Sequence, residues 1–333
     1  MSVIDQPFRI GVLLPTREQA ITDNIDMAQI LDFARRAELL GFDSLWTGDS
    51  LVARPRLDPL VVLAACAAVT SQVTLGTAAM TPALRHPLIG ANMIASLDHA
   101  CAGRLALGLG SGFPIPETEE EFGIVGAVFP GRASRLDEIA DLWRAAWGAS
   151  RSDGQVDFTG RYWQASGLHR LPTPYRTGGP PLWLASSDTP RVLRRVAERY
   201  DGWLPFLPTA SAYDTAWQTV LAHCRELGRP QGAVTPGLYA TVTIGDSKAE
   251  AEAELADYLH RYYGRSLETM ARIQAYGWGR AEECADWLLG YLRSGTRHVV
   301  IRIGSLDPSR QLDQLGAVVL PALREAAVPL ATT

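Results

Sequence analysis

Short apolar runs rich in β-branched residues alternate along the chain with longer stretches whose apolar positions recur at helical spacing. Residues 8–14 read as a first strand, and a helix follows over about 26–40, with Gly41 placed to cap its C-terminus. The alternation repeats with strands at 43–47, 73–80 and 104–110 and helices over 59–70 and about 88–99. Residues 113–130 are acidic, Pro-containing and aperiodic, and read as an insertion after the fourth strand. A helix over about 133–147 follows, and residues 155–164 suggest a small hairpin around Thr159-Gly160. Strands at 181–185, 201–205, 238–244 and 298–303 continue the rhythm. Helices over 190–199, about 210–227, 281–292 and 312–326 accompany them, with a helical insertion from 247 to about 270 after the seventh strand.

Eight strands with eight helices close into a (β/α)8 TIM barrel more naturally than they form an open doubly wound sheet, which stands as the alternative. A barrel of this kind occupies 333 residues as one domain, here 1–333. A hydrophobic fraction of 47% supplies ample core material. The net charge of −5 argues against a nucleic-acid partner, and Lys248 is the only lysine. The N-terminus shows no basic region leading into an apolar run, and the longest apolar stretch, 60–69, is too short to cross a bilayer. A cytoplasmic protein without a membrane partner is expected. Cys66, Cys101, Cys224 and Cys284 lie far apart with no CxxC pair, and no His cluster has ligand spacing, so no metal site is expected. Cys66 and Cys101, in apolar helical stretches, read as buried thiols.

Barrel chemistry sits at the carboxyl ends of strands. That rule selects Pro15-Thr16-Arg17, Gly48-Asp49-Ser50, Ala78-Ala79-Met80-Thr81, Gly110-Ser111-Gly112, Ser186-Ser187-Asp188-Thr189 and Gly304-Ser305. These segments hold no nucleophile beside a base and no carboxylate pair at useful spacing, so a cofactor is expected to supply the chemistry. Ser186-Ser187-Asp188-Thr189 opens a helix at Pro190, where hydroxyls and free N–H groups make an anion site; a plain N-cap from Asp188 or Thr189 is the other reading. Gly108-Leu109-Gly110-Ser111-Gly112 lets backbone approach a planar ligand. Asp49 suits a ligand contact or an Asx turn, and His86, before Pro87, suits a cap or a proton carrier.

The segments 37–49, 75–82 and 85–87, then Leu97-Asp98 leading into 103–112, resemble the luciferase-like flavin-dependent oxidoreductases, including those that use the deazaflavin coenzyme F420. Gly178-Gly179-Pro180-Pro181-Leu182-Trp183-Leu184 and Arg199-Tyr200-Asp201-Gly202-Trp203-Leu204-Pro205 carry the resemblance further. It implies a luciferase-like barrel with insertions after strands four and seven and a non-covalent F420 or FMN across its mouth. A bulge of the third strand, often with a non-proline cis peptide, would back the ring at Ala78-Ala79, beside Gly110 and Ser111. The cofactor phosphate would lie at Ser186, Ser187 and Thr189, and Asp49 matches a ring-contacting position of deazaflavin enzymes.

Two departures stand out. Ser50 replaces a histidine implicated in proton transfer, and Phe113 replaces a glutamate of some deazaflavin dehydrogenases, which puts sugar-phosphate chemistry in doubt. His86, Tyr262, Tyr263 and Arg17 remain as candidate proton carriers. The resemblance implies an oxidoreductase or monooxygenase acting on a mostly apolar organic substrate, by hydride transfer with F420 or oxygenation with reduced FMN. A homodimer is implied, and for the FMN route a separate flavin reductase. The alternatives are a non-catalytic flavin-binding relative and an unrelated metal-dependent barrel hydrolase. Residues 247–270, with Arg261-Tyr262-Tyr263-Gly264, are read either as a mobile lid or as a static helical excursion.

Overall fold

The computed structural model describes residues 8–149 and 154–327. Its strands are β1 (Arg9–Leu13), β2 (Ser44–Thr47), β3 (Thr74–Met80), β4 (Leu105–Leu109), β5 (Phe158–Thr159), β6 (Gln164–Ala165), β7 (Leu182–Leu184), β8 (Gly202–Trp203), β9 (Thr235–Ile244), β10 (Ala275–Gly279) and β11 (His298–Ile303). The parallel strands run in the order β10-β9-β11-β1-β2-β3-β4-β7-β8, and β8 pairs back onto β9. Eight strands therefore close into a (β/α)8 barrel, with β10 added along the carboxyl half of β9, from Ala240 to Ile244. The short antiparallel pair β5–β6 is the expected hairpin, with its turn moved to 160–163. Three carboxylate hydrogen bonds explain the shift, because Glu138 accepts from the Arg161, Tyr162 and Trp163 amides and so builds the turn there.

Helices α1 (Thr16–Ile21), α2 (Met27–Leu40), α3 (Pro59–Ala67), α4 (Pro87–Ala100), α5 (Pro116–Ile124) and α6 (Arg132–Gly148) lie in the first half of the chain. They are followed by α7 (Pro190–Arg199), α8 (Ala210–Glu226), α9 (Lys248–Tyr263), α10 (Leu267–Ala271), α11 (Ala281–Arg293), α12 (Pro308–Gln314) and α13 (Leu320–Ala327). Most of these boundaries follow from local chemistry. Asp26 accepts from the Ala28 and Gln29 amides to start α2, and Gly41, at φ +92°, ends it in a left-handed conformation that a side chain resists.

Three elements correct the sequence reading. Residues 113–130 are not aperiodic throughout, because α5 forms within them and buries Thr118, Glu121 and Phe122 at helical spacing. Helix α1 fills the interval between β1 and α2 that carried no assignment. Strand β10 occupies residues assigned to no element, its Gly-containing AYGWG pattern hiding a strand that leans on β9.

The described chain forms two compact units, Met1–Trp46 with Trp183–Thr333, and Thr47–Leu182. In the first unit, Gly11 is the only size that fits its place on β1, since a Cβ there would stand 2.2 Å from Ser44 Oγ and 2.6 Å from Trp46 Nε1. The room goes to a buried polar knot in which Trp46 Nε1 donates to Ser44 Oγ at 2.7 Å and Ser44 Oγ lies 2.7 Å from His298 Nε2. Burial, with the Arg9 charge a lesser cause, holds the His298 imidazole down at about 3, so it is neutral there. In the second unit, α6 packs on α4 through Trp143 and Trp147, whose indole N–H groups donate to the Pro87 and Ala91 carbonyls. All four cysteines are free and buried, and burial pushes the Cys66 and Cys284 thiols up to about 12. No helix among the described residues is long and apolar enough to cross a membrane.

Candidate active site

In the second unit, β3 ends in an irregularity. Its register against β4 shifts between Thr77 and Met80, and the Ala78–Ala79 peptide is cis, at the place expected for the bulge. Gly110, just past β4, donates its N–H to the Met80 carbonyl at 2.8 Å, and a Cβ there would meet the Ala79 methyl at 3.4 Å. Ala78, Ala79 and Gly110 thus offer a small-residue surface without acid–base groups, with Ser111 half-buried beside it.

The loop after β2 is fixed to this surface by charge. Asp49 accepts from the Thr81 amide at 3.0 Å, and Arg85 binds it in a fork, Nη1 to Oδ2 at 2.6 Å and Nη2 to Oδ1 at 3.2 Å. Arg85 Nη2 also reaches Asp58 Oδ2 at 2.5 Å, and Asp58 caps α3. Burial pushes the Asp49 carboxyl up, and Arg85 and the Thr81 amide pull against that. Burial likewise works against the Arg85 charge, but the two carboxylates outweigh it and hold the guanidinium charged. His86 is exposed at the N-cap of α4, where Nδ1 accepts from the Leu88 amide at 3.3 Å and the ring packs edge-on to Trp163.

In the first unit, the turn from β7 to α7 carries Ser186, Ser187 and Thr189. The α7 N-terminus has Pro190 in its first turn and no side-chain cap, and the buried Ser186 Oγ has no hydrogen-bond partner. A buried hydroxyl beside an uncapped ten-residue helix suits the oxygen of an anionic group. Farther along, β11 sends one cation into a cage of phenols. Arg302, 1% exposed, donates from Nε to Thr241 Oγ1 at 2.9 Å, from Nη1 to Tyr263 at 2.6 Å and from Nη2 to Tyr276 at 3.3 Å. The rings of Tyr239, Tyr258, Tyr262, Tyr263 and Tyr276 all lie within 6 Å of its guanidinium carbon, Tyr262 nearest at 4.7 Å. Burial works against the Arg302 charge, and the surrounding phenol oxygens more than offset it. Tyr258 donates to Glu18 Oε1 at 2.6 Å, and burial, reinforced by the Glu18 charge, pushes its phenol well above the usual range.

The family profile described as luciferase-like monooxygenase matches residues 8–298. The chain belongs to that family. Among its relatives is an F420-dependent glucose-6-phosphate dehydrogenase of Kineococcus radiotolerans, 29% identical, the alignment covering 96% of this chain and 98% of that protein. An F420-dependent hydroxymycolic acid dehydrogenase of Mycobacterium tuberculosis is also 29% identical, over 95% of this chain and 88% of its own. In fold, the chain is similar to a solved F420-dependent secondary alcohol dehydrogenase in complex with an F420-acetone adduct. The TM-score is 0.79 at 18% identity, covering 96% of this chain and 99% of that one.

Within this luciferase-like barrel, the residues singled out in the sequence divide by unit. Asp49, Ala78, Ala79, His86, Gly110 and Ser111 belong to one, and Arg17, Ser186, Ser187, Thr189 and Tyr262 to the other. Tyr262 is 5% exposed, its ring packed at a tilt against Tyr258 and Tyr263, with Arg17 over it at 5.9 Å. Three side chains that organise these regions had no assigned role in the sequence: Arg85, Glu121 and Arg302. Arg302 did leave a signal, a lone charge in the otherwise apolar strand VVIRI. Glu121 left none, because it stands in an acidic run whose members Glu117, Glu119 and Glu120 face solvent. No group of His, Cys, Asp and Glu among the described residues could hold a metal ion.

Proposed function

We propose that this chain is a two-electron oxidoreductase that uses coenzyme F420 to move a hydride to or from a mostly apolar organic substrate. The observation that carries the reading is the unpartnered, buried Ser186 hydroxyl at the uncapped start of α7, which fits the phosphate that the cofactor brings. Family membership and the F420 dependence of full-length relatives support it. Ser186, Ser187 and Thr189 would hold the phosphate. Ala78, Ala79, Gly110 and Ser111 would lie against the ring, and Asp49 would sit at its edge, kept in place by Arg85. When bound, the deazaflavin supplies or accepts the hydride; the chain's part is to orient it, exclude water and carry the proton.

For the proton, His86 is the accessible candidate, with Nδ1 engaged by Leu88 and proton exchange left to Nε2. Arg17 contributes fixed charge, and Tyr262 serves in this proposal as wall. An apolar substrate is favoured over a sugar phosphate because Ser50 is committed to Glu121 and Phe113 stands exposed past β4. The working unit is proposed to be a homodimer, which sedimentation checks.

The test is turnover in separate arms. Under anaerobic conditions reduced F420 is followed with a panel of apolar ketones and oxidised F420 with glucose 6-phosphate, and an aerobic arm supplies reduced FMN with dioxygen and a flavin reductase. Oxidation of F420 by an apolar carbonyl is expected. Preference for the sugar phosphate would overturn the substrate assignment, and oxygenation with FMN alone would replace the cofactor.

A further inference from the structure

One oxygen joins helix α5 to the loop after β2. Glu121 Oε1 accepts from Ser50 Oγ at 2.8 Å and from the consecutive amides of Leu51, Val52 and Ala53 at 2.5, 2.8 and 3.2 Å. Ser50 Oγ in turn accepts from the Arg54 amide at 2.8 Å, so the hydroxyl closes the loop on itself while donating to the carboxylate. Glu121 is 3% exposed, whereas the apolar residues around the junction, Leu51, Val52, Ile124 and Val128, face solvent. Bonds to an ionised acceptor are roughly twice as strong as neutral ones. Here four of them end on one atom, where apolar packing is thin.

The loop so held is the one that carries Asp49. On one side Asp49 ties it to Thr81 and Arg85, at the end of β3 and the entry to α4. On the other side, among the described residues, the hydrogen bonds from Ser50 to Ala53 that reach another element all end on α5. Residues 50–53 form no helix or strand of their own, so these end points fix their conformation.

We infer that Glu121 is a positioning residue for the Asp49 loop, making the ordering of residues 50–53 and the seating of α5 a single event. The loop presents Asp49 as the proposed site needs it only while α5 is seated. This rests on the reading of Asp49 as a cofactor-edge residue.

The test combines amide exchange by mass spectrometry with calorimetric F420 binding for wild type, Glu121→Ala and Glu121→Gln. Glu121→Ala is expected to speed exchange at 51–53 and across α5 together by about tenfold or more, and to weaken F420 by about tenfold. Glu121→Gln keeps a carbonyl acceptor and should recover most of both effects. Faster exchange confined to 51–53, with α5 unchanged, would overturn the inference. So would loosening of both segments with F420 affinity intact. Wild type that binds no F420 would end the proposed function instead; the exchange result would then decide the clamp alone, coupled loosening keeping it and uncoupled loosening rejecting it. Should Glu121→Ala not fold, Ser50→Ala removes one donor and the Arg54 acceptor, and a smaller joint rise in exchange is the expected result, no joint rise the contrary one.

Discussion

Helices α5 and α9 are both excursions that follow barrel strands, yet they are fastened by different physics. Helix α9 buries Leu255, Tyr258, Leu259 and Tyr262 in one cluster with Met270 and Tyr276, and its tyrosines close around Arg302. Its polar bonds run from Arg302 to the half-buried Tyr263 and, fully buried, from Tyr258 to Glu18. Helix α5 buries three residues, and its tie to the Asp49 loop is one carboxylate among exposed apolar side chains. Polar groups buried with aromatic packing cost most when removed, because the partners left behind cannot rehydrate. A carboxylate clamp at a thinly packed edge governs local opening instead. The contrast predicts that the excursion at 247–270 stays closed while α5 opens locally, which amide exchange across both segments checks.

Four perturbations sharpen that contrast, in falling order of effect on global stability. Arg302→Met should lower the unfolding free energy by about 3 kcal/mol, since it leaves three hydroxyl partners and a cavity in the cage; denaturant midpoints measure it. A loss below about 1 kcal/mol would mean that the cage adds little to the packing.

Acid should weaken the first unit next. His298 stays neutral down to about 3 when folded and titrates near 6.5 when unfolded. Below pH 6.5 the unfolded chain takes up a proton that the native state refuses, so stability falls by about 1.4 kcal/mol per pH unit toward 3. The deficit at pH 5 is therefore about 2 kcal/mol, and His298→Gln should flatten that limb in unfolding titrations run across pH. An unchanged slope would show that other groups set it.

Tyr258→Phe should cost about 1.5 kcal/mol by removing the donor to Glu18, whose second oxygen is already buried without a partner. Smallest globally is Glu121→Ala, with a loss of about 1 kcal/mol or less despite its effect on local exchange. If calorimetry instead gave Glu121→Ala a larger loss than Arg302→Met, the two regions would have to be exchanged in this account.

The barrel was legible because strand and helix periods differ and recur; 190–199 and 298–303 were placed to the residue. Short elements were harder. Helix α1 has six residues and no side-chain cap, and β10 is stabilised by its partner β9 more than by its own glycine-rich sequence. The small-residue turn at Ala78–Ala79 and the hydroxyls at 186–189 were visible as composition at strand ends. The contacts that hold them were not, since Asp49–Arg85 spans 36 positions and Ser50–Glu121 spans 71, and neither leaves a periodic trace. A buried glutamate in an acidic run looks like its solvated neighbours until the fold places amides around it.

Calorimetric titration of wild type and Ser186→Ala with F420 tests most directly whether an anionic, planar cofactor engages Ser186. Micromolar binding by wild type, weakened about tenfold by Ser186→Ala with thermal stability unchanged, is the result expected. Absence of binding by a folded wild type, or equal affinity in both proteins, would contradict it.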